Sequence, residues 1–155
     1  MAASRVRTLS PKGAIAPTGP WSLGARAGDF VRALILDGTA TAAHDLSDGG
    51  LAVALAEMAM ASGIGAALEA APKDIPAFAH WFGEDQARYL VTVPAAQAEA
   101  VLARAREASV LAAAIGTTGG DALTIPGERP MLVKILRQCF EDWLPSYMAG
   151  ELPNA

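Results

Sequence analysis

Apolar and polar positions alternate in two rhythms along this chain, and the rhythms mark out its elements. In DFVRALILDG, Phe30, Val31, Leu34 and Ile35 recur at helical spacing, with Asp29 placed to cap and Gly38 to stop. Thr39 to Ala43 is short and β-tolerant and delivers the chain to HDLSDGG at residues 44–50. A helix is predicted from Gly50 to Ser62, ending at Gly63, followed by a strand in IGAALEA and a loop from Pro72 to Pro76. FAHWFGEDQ reads as a short helix and turn, and RYLVTVP as the clearest strand, closed by Pro94. AAQAEAVLARAREAS is a helix of strong formers with Val101, Leu102 and Ala105 on one side. VLAAAIG and DALTIPG read as two strands joined through TTGG as a hairpin. MLVKI reads as an edge strand, and LRQCFEDWLPSYM as a closing helix carrying Leu136, Phe140, Trp143 and Leu144.

Strands alternating with helices predict an α/β (α+β) fold, a mixed β-sheet covered by helices. The Gly50–Ser62 helix adds something more. Leu51, Leu55 and Met58 form one stripe, Val53 and Met60 fall near the opposite side, and alanines fill most of the rest. A helix apolar all round is buried on more than one side, so a second domain or subunit is expected over its outer face.

Composition narrows the function classes. Apolar residues make up 52% of 155 and charged residues 18%, a globular balance with room for a real core. The longest apolar run, Leu51 to Ala61, is interrupted by Glu57 and is too short to span a bilayer. The net charge of −4 is uneven: residues 1–28 hold Arg5, Arg7, Lys12 and Arg26 with no acid, and the rest carries all 16 acids. So acidic a body is a poor match to nucleic acid, whose partners carry a basic stripe. Residues 1–27 are expected to be a leader outside the domain, disordered or misframed, with the domain at 28–150 and a tail at 151–155. The lone Cys139 excludes an internal disulfide, fits a reducing compartment, and is expected to be a buried thiol.

HDLSDGG follows a strand and opens a helix, where glycines let a ligand approach the backbone and the first-turn N–H groups favour an anion. Ser47, Gly49 and Gly50 are the candidate phosphate contacts, and Asp45 or Asp48 could hold magnesium. Spacing alone favours an ordinary helix start, with Ser47 or Asp48 as N-cap and the glycines serving the turn. Neither the dinucleotide fingerprint nor the Walker loop is present. His44 beside Asp45 suggests a general base, but neighbours on an extended strand point to opposite sides, which favours a structural role. His80 sits in an aromatic-rich turn and is read as structural. Glu84, Asp85 and Gln86 could bind metal, or form a solvated turn with Glu84 or Asp85 pairing with Arg88. GTTGGD at 116–121 takes the hairpin reading.

HDLSDGGLAVALAEMAMASGIGA, FGEDQARYLVTVP, IGTTGGDALTI and WLPSYMAG, in this order, resemble the C-terminal segment of the phosphoribosylformylglycinamidine synthase family, within the aminoimidazole ribonucleotide synthetase superfamily. His-Asp-x-Ser-Asp-Gly-Gly-Leu is similar to a pattern shared across the superfamily, and Phe-Gly-Glu-Asp-Gln-x-Arg-Tyr narrows the resemblance to the synthase. It covers about Gly28 to Gly150. Residues 1–27 do not match, and Ala87 stands where many relatives have glycine.

The resemblance implies a domain of a cytoplasmic, ATP-dependent carbon–nitrogen ligase of purine biosynthesis. That enzyme converts formylglycinamide ribonucleotide, ATP and glutamine-derived ammonia into formylglycinamidine ribonucleotide, ADP and phosphate. Its catalytic histidine, magnesium-binding acids and most ATP contacts lie in segments with no counterpart here, so this chain is expected to have no catalytic or metal-binding residue and to be inactive alone. ATP and magnesium belong to the parent enzyme, and neither is expected to bind this chain tightly. The implied partners are the upstream domains of the same synthetase, with its glutaminase and small accessory subunits, and neither nucleic acid nor membrane. The competing reading is a non-catalytic phosphate- or nucleotide-binding module, or a structural fragment of another superfamily member.

Overall fold

A computed structural model describes residues 21–85 and 87–150, with side chains from residue 27 onward. In chain order the elements are α1 (Trp21–Leu36), β1 (Ala42–Asp45), α2 (Gly50–Ser62), β2 (Ala66–Leu68), α3 (Ala77–Phe82) and β3 (Tyr89–Thr92). A short 3-10 turn (Ala95–Gln97) then leads into α4 (Ala98–Glu107), β4 (Gly116–Thr118), β5 (Ala122–Thr124), β6 (Met131–Leu132) and α5 (Val133–Ala149). The chain divides into two compact units, one running up to Gly50 and resuming over Glu84–Ala114, the other made of Leu51–Gly83 and the chain from Ile115 on. The fold is mixed α/β as the alternation predicts, but with two sheets in place of one.

In the first unit β1 and β3 pair antiparallel, Ala42 opposite Thr92 and Asp45 opposite Tyr89. The ladder extends at both ends, with Thr41 N–H donating to Thr92 O and Leu46 N–H to Arg88 O, both at 2.9 Å. Helix α1 packs on both strands, and Leu34, Leu90 and Ala105 are buried. Helix α1 starts at Trp21, ahead of the expected start at Gly28. Asp29 therefore lies inside the helix and does not cap it. The helix stops as predicted, with Gly38 at φ 74°, a left-handed conformation suited to glycine. Just past it, Asp37 Oδ2 accepts from Arg104 Nη2 at 2.7 Å and Asp37 Oδ1 from Thr39 N–H at 3.0 Å, fastening α4 to the end of α1. The Thr39 side-chain hydrogen bond first, and the Arg104 guanidinium second, hold the Asp37 carboxyl down at about 2.

The second unit holds the four-stranded sheet, in the order β4-β2-β5-β6. Strand β2 is antiparallel to β4 and parallel to β5, and β5 is antiparallel to β6. The expected TTGG hairpin is therefore absent, because β2 lies between the two strands that it would have joined. VLAAAIG is not a strand either. Val110 N–H closes α4 by donating to Ala105 O, the alanines that follow are poor strand formers, and bonding to the β2 side begins only at Ile115, whose O accepts from Glu69 N–H at 2.8 Å. Gly65 makes the crossing possible: it donates to Gly120 O and accepts from Gly119 N–H, and a β-carbon on it would collide with the Ala122 backbone. Strand β6 is the edge strand that MLVKI predicts, shortened to two residues because Val133 already opens α5.

Helix α2 has the predicted bounds, Gly50–Ser62, and stops at Gly63, φ 74°. Leu51, Ala54, Leu55 and Ala59 form its buried face, while Met58 and Met60 are half-buried and Val53 is exposed. The side turned outward is thus less covered than an all-round apolar helix requires. At its C-terminal end the Arg137 guanidinium donates to the Met60 carbonyl, satisfying one of the groups a helix end leaves open. Phe140, Trp143 and Leu144 of α5 are exposed, as is Cys139, contrary to the expected buried thiol. Past Arg137, Ser146 is half-buried and the other described residues of α5 are exposed.

Candidate functional site

The HDLSDGG segment turns a strand into a helix in three steps. β1 ends at Asp45, buried Leu46 anchors the chain through its bond to Arg88 O, and residues 47–50 make a turn closed by Gly50 N–H donating to Ser47 O at 3.0 Å. Gly49 and Gly50 have φ of 80° and 63°, a pair of left-handed conformations that side chains with a β-carbon resist. The glycines are thus required by the backbone itself, whatever else they do.

The turn already holds an anion of its own. Gly49 N–H donates to Glu84 Oε1 at 2.8 Å, so the carboxylate from FGEDQ sits on the donor exposed by HDLSDGG. Negative charge at the opening of a helix is favourable, because the first-turn N–H groups point outward. Both candidate backbone donors are therefore engaged, Gly49 with Glu84 and Gly50 with Ser47 O. Ser47 and Asp48 are exposed in the same turn. Nothing in the local pattern of HDLSDGG pointed to Glu84, which is 35 residues away. The signal available was that both segments carry the family resemblance.

The other candidates lie elsewhere in the fold. Asp85 pairs with Arg88, three residues along, at 3.5 Å, as the solvated-turn reading has it, while Glu84 bonds to Gly49 N–H. His44 and Asp45 do not diverge as an extended strand implies: His44 Nδ1 lies 2.6 Å from Asp45 O and 3.8 Å from Asp45 Oδ1. The strand ends at Asp45, so the alternation fails there, and the contact is local. His80 lies edge-on to Trp81 in α3, ring centroids 4.6 Å apart. Among the described residues no three His, Cys, Asp or Glu side chains come together as a metal site, and no helix is long and apolar enough to cross a membrane.

These features can be set beside known proteins. The sequence profile of the family described as "AIR synthase related protein, C-terminal domain" matches residues 23–125. The phosphoribosylformylglycinamidine synthase subunit PurL of Bradyrhizobium sp. (strain ORS 278) is 66% identical over 125 residues, covering 81% of this chain and 17% of that protein. The PurL subunit of Nitrobacter winogradskyi (strain ATCC 25391) is 59% identical over 126 residues, with the same coverage of both. The chain thus spans about a sixth of the length of the curated relatives it matches. Among solved structures, PurLQS from Thermotoga maritima superposes with a TM-score of 0.64 at 17% identity, covering 74% of this chain and 21% of that one, a likeness of fold. The match over 23–125 includes the turn, the Glu84 carboxylate and β5, and on it the chain belongs to the family of AIR synthase related proteins, with that family's C-terminal domain.

Proposed function

We propose that this chain acts as the C-terminal domain of a phosphoribosylformylglycinamidine synthase, in the ATP-dependent amidation of formylglycinamide ribonucleotide. The observation that carries this reading is the 66% identity over 125 residues to a PurL subunit. Residues 28–150 form the domain, and the cytoplasm is its place of work. Its task is to buttress a neighbouring domain of the same synthetase and to line one edge of a phosphate-binding cleft. Support for a neighbour comes from α2, whose outer side leaves Val53 exposed on a helix with no polar face beyond Glu57 and Ser62.

ATP chemistry belongs to the parent enzyme in this reading; a related solved structure is described as T. maritima PurL complexed with ATP. Magnesium is assigned to other domains of the parent enzyme as well. The glutaminase and accessory subunits are proposed partners by analogy with the PurLQS assembly. Ser47, Gly49 and Gly50 are the proposed phosphate contacts of this chain. A phosphate there has to take over the Gly49 N–H from the Glu84 carboxylate, an exchange of one anion for another.

Two experiments test this. The purified chain is expected to show no ATP- and ammonia-dependent turnover of formylglycinamide ribonucleotide, and detectable turnover sinks the assignment of catalysis to other domains. Gly49→Val in a full synthetase carrying this domain is expected to weaken binding of substrate or ATP. Unchanged affinity for both, in a folded protein, leaves the turn with a structural role alone.

A further inference from the structure

We infer that the outer face of α5 is a self-association surface that pairs with the same face of a second copy of this chain. Among the described residues the helix is fastened at its start, where Val133 is buried with its N–H on Asp121 O at 2.9 Å and Arg137 reaches the Met60 carbonyl. Beyond that, Phe140 (71%), Trp143 (56%), Leu144 (58%), Tyr147 (56%) and Met148 (77%) are exposed. Their spacing of three and four residues sets all five on one stripe. The Trp143 and Tyr147 rings stack at 5.4 Å and 7°, giving the stripe a flat aromatic centre.

The area places this stripe at the limit of ordinary surface. At about 200 Å² per large side chain, five that are more than half exposed present on the order of 600 Å² of mainly apolar surface. That is the upper end of the largest patch on a typical monomer, roughly 300–600 Å². Two such faces together supply about 1,200 Å², the threshold of a specific, stable interface. Elsewhere among the described residues, exposed large apolar side chains come in ones and twos per element.

The chemistry of the stripe favours a second copy over a partner of complementary charge. No stripe residue is ionisable except the Tyr147 phenol, and the helix as a whole is balanced, Lys134 and Arg137 against Glu141 and Asp142. An apolar, uncharged stripe is complementary to itself under a two-fold axis, which is what an isologous dimer requires.

Sedimentation equilibrium of the 155-residue chain over a wide concentration range tests the inference. The expected result is a monomer–dimer equilibrium that Trp143→Glu and Tyr147→Glu each weaken by at least about tenfold, the loss usual for a buried aromatic anchor. Both side chains are exposed in the single chain, so circular dichroism is expected to show the fold unchanged. A spin label on the exposed Cys139, at the edge of the stripe, is expected to report a short distance between copies in the wild type and none in the variants. A chain that stays monomeric, a dimer indifferent to both substitutions, or assembly without defined stoichiometry overturns the proposal. A monomer is also the outcome if this face is reserved for another part of a synthetase.

Discussion

Glu84 Oε1 accepts a hydrogen bond from Gly49 N–H at 2.8 Å, so two of the segments that carry the family resemblance meet at one backbone donor. The turn that opens α2 is held by a carboxylate arriving from just ahead of β3. Local glycine geometry and a distant anion together shape the turn at residues 47–50.

Removing that carboxylate loosens the junction. Glu84→Ala is expected to cost about 1 kcal/mol, the usual loss for a helix-start acceptor in an exposed setting. Urea unfolding measures the loss, and hydrogen exchange at the Gly49 amide is expected to speed up with it. An unchanged Gly49 exchange rate contradicts the contact.

Asp37 gives a pH signature. Its carboxyl is held near 2 by Thr39 and then Arg104, against 3.8 unperturbed. A depressed acid contributes stability above its unfolded value and loses it as pH falls toward the folded one, so this contribution is whole above about pH 4 and fades toward about pH 2. In a carboxyl-detected NMR titration, Thr39→Val and Arg104→Met are each expected to move the Asp37 midpoint upward. A midpoint already at the unperturbed value in the wild type rules the arrangement out.

The crossing of β2 between β4 and β5 depends on Gly65. A β-carbon there meets Ala122 N at 2.6 Å and Ala122 C at 2.7 Å, both backbone atoms. Because backbone cannot rotate away as a side chain can, Gly65→Ala is expected to destabilise by at least about 2 kcal/mol. Thermal unfolding checks it, and a variant as stable as the wild type shows that the strands can part without cost.

Arg137 closes the C-terminal end of α2 through the Met60 carbonyl. Arg137→Met keeps much of the apolar stem and removes the donor, so about 1 kcal/mol of stability is expected to go. If Arg137→Met and Arg137→Lys unfold together with the wild type, the carbonyl is served by water just as well.

Legibility in the sequence followed the range of the interactions. α2 was readable to its ends because its signals are local: a glycine turn before, a glycine stop after, and strong helix formers between. β3 was likewise readable from the run Leu90, Val91, Thr92. The order β4-β2-β5 was not, because a parallel pairing between Ala66 and Leu123 leaves no mark on the residues between them. The default hairpin reading of TTGG failed for that reason. Asp29 looked like a cap because nothing local reveals that the helix already runs from Trp21. At the site, the glycine geometry of HDLSDGG was legible, but its Glu84 partner lies at a sequence distance that no periodicity encodes. Cys139 failed from the opposite cause: helical pattern says which face a residue takes, and nothing about whether that face is covered.

The most direct measurement of the central claim is a domain exchange. Residues 28–150 of this chain replace the matching stretch of the Bradyrhizobium PurL subunit, and ATP- and ammonia-dependent formation of formylglycinamidine ribonucleotide is followed beside the isolated chain. The account predicts an active chimera, within about tenfold of the parent, a barrier change of roughly 1.4 kcal/mol or less, and a silent isolated chain. A folded chimera without activity, or turnover by the chain alone, contradicts it.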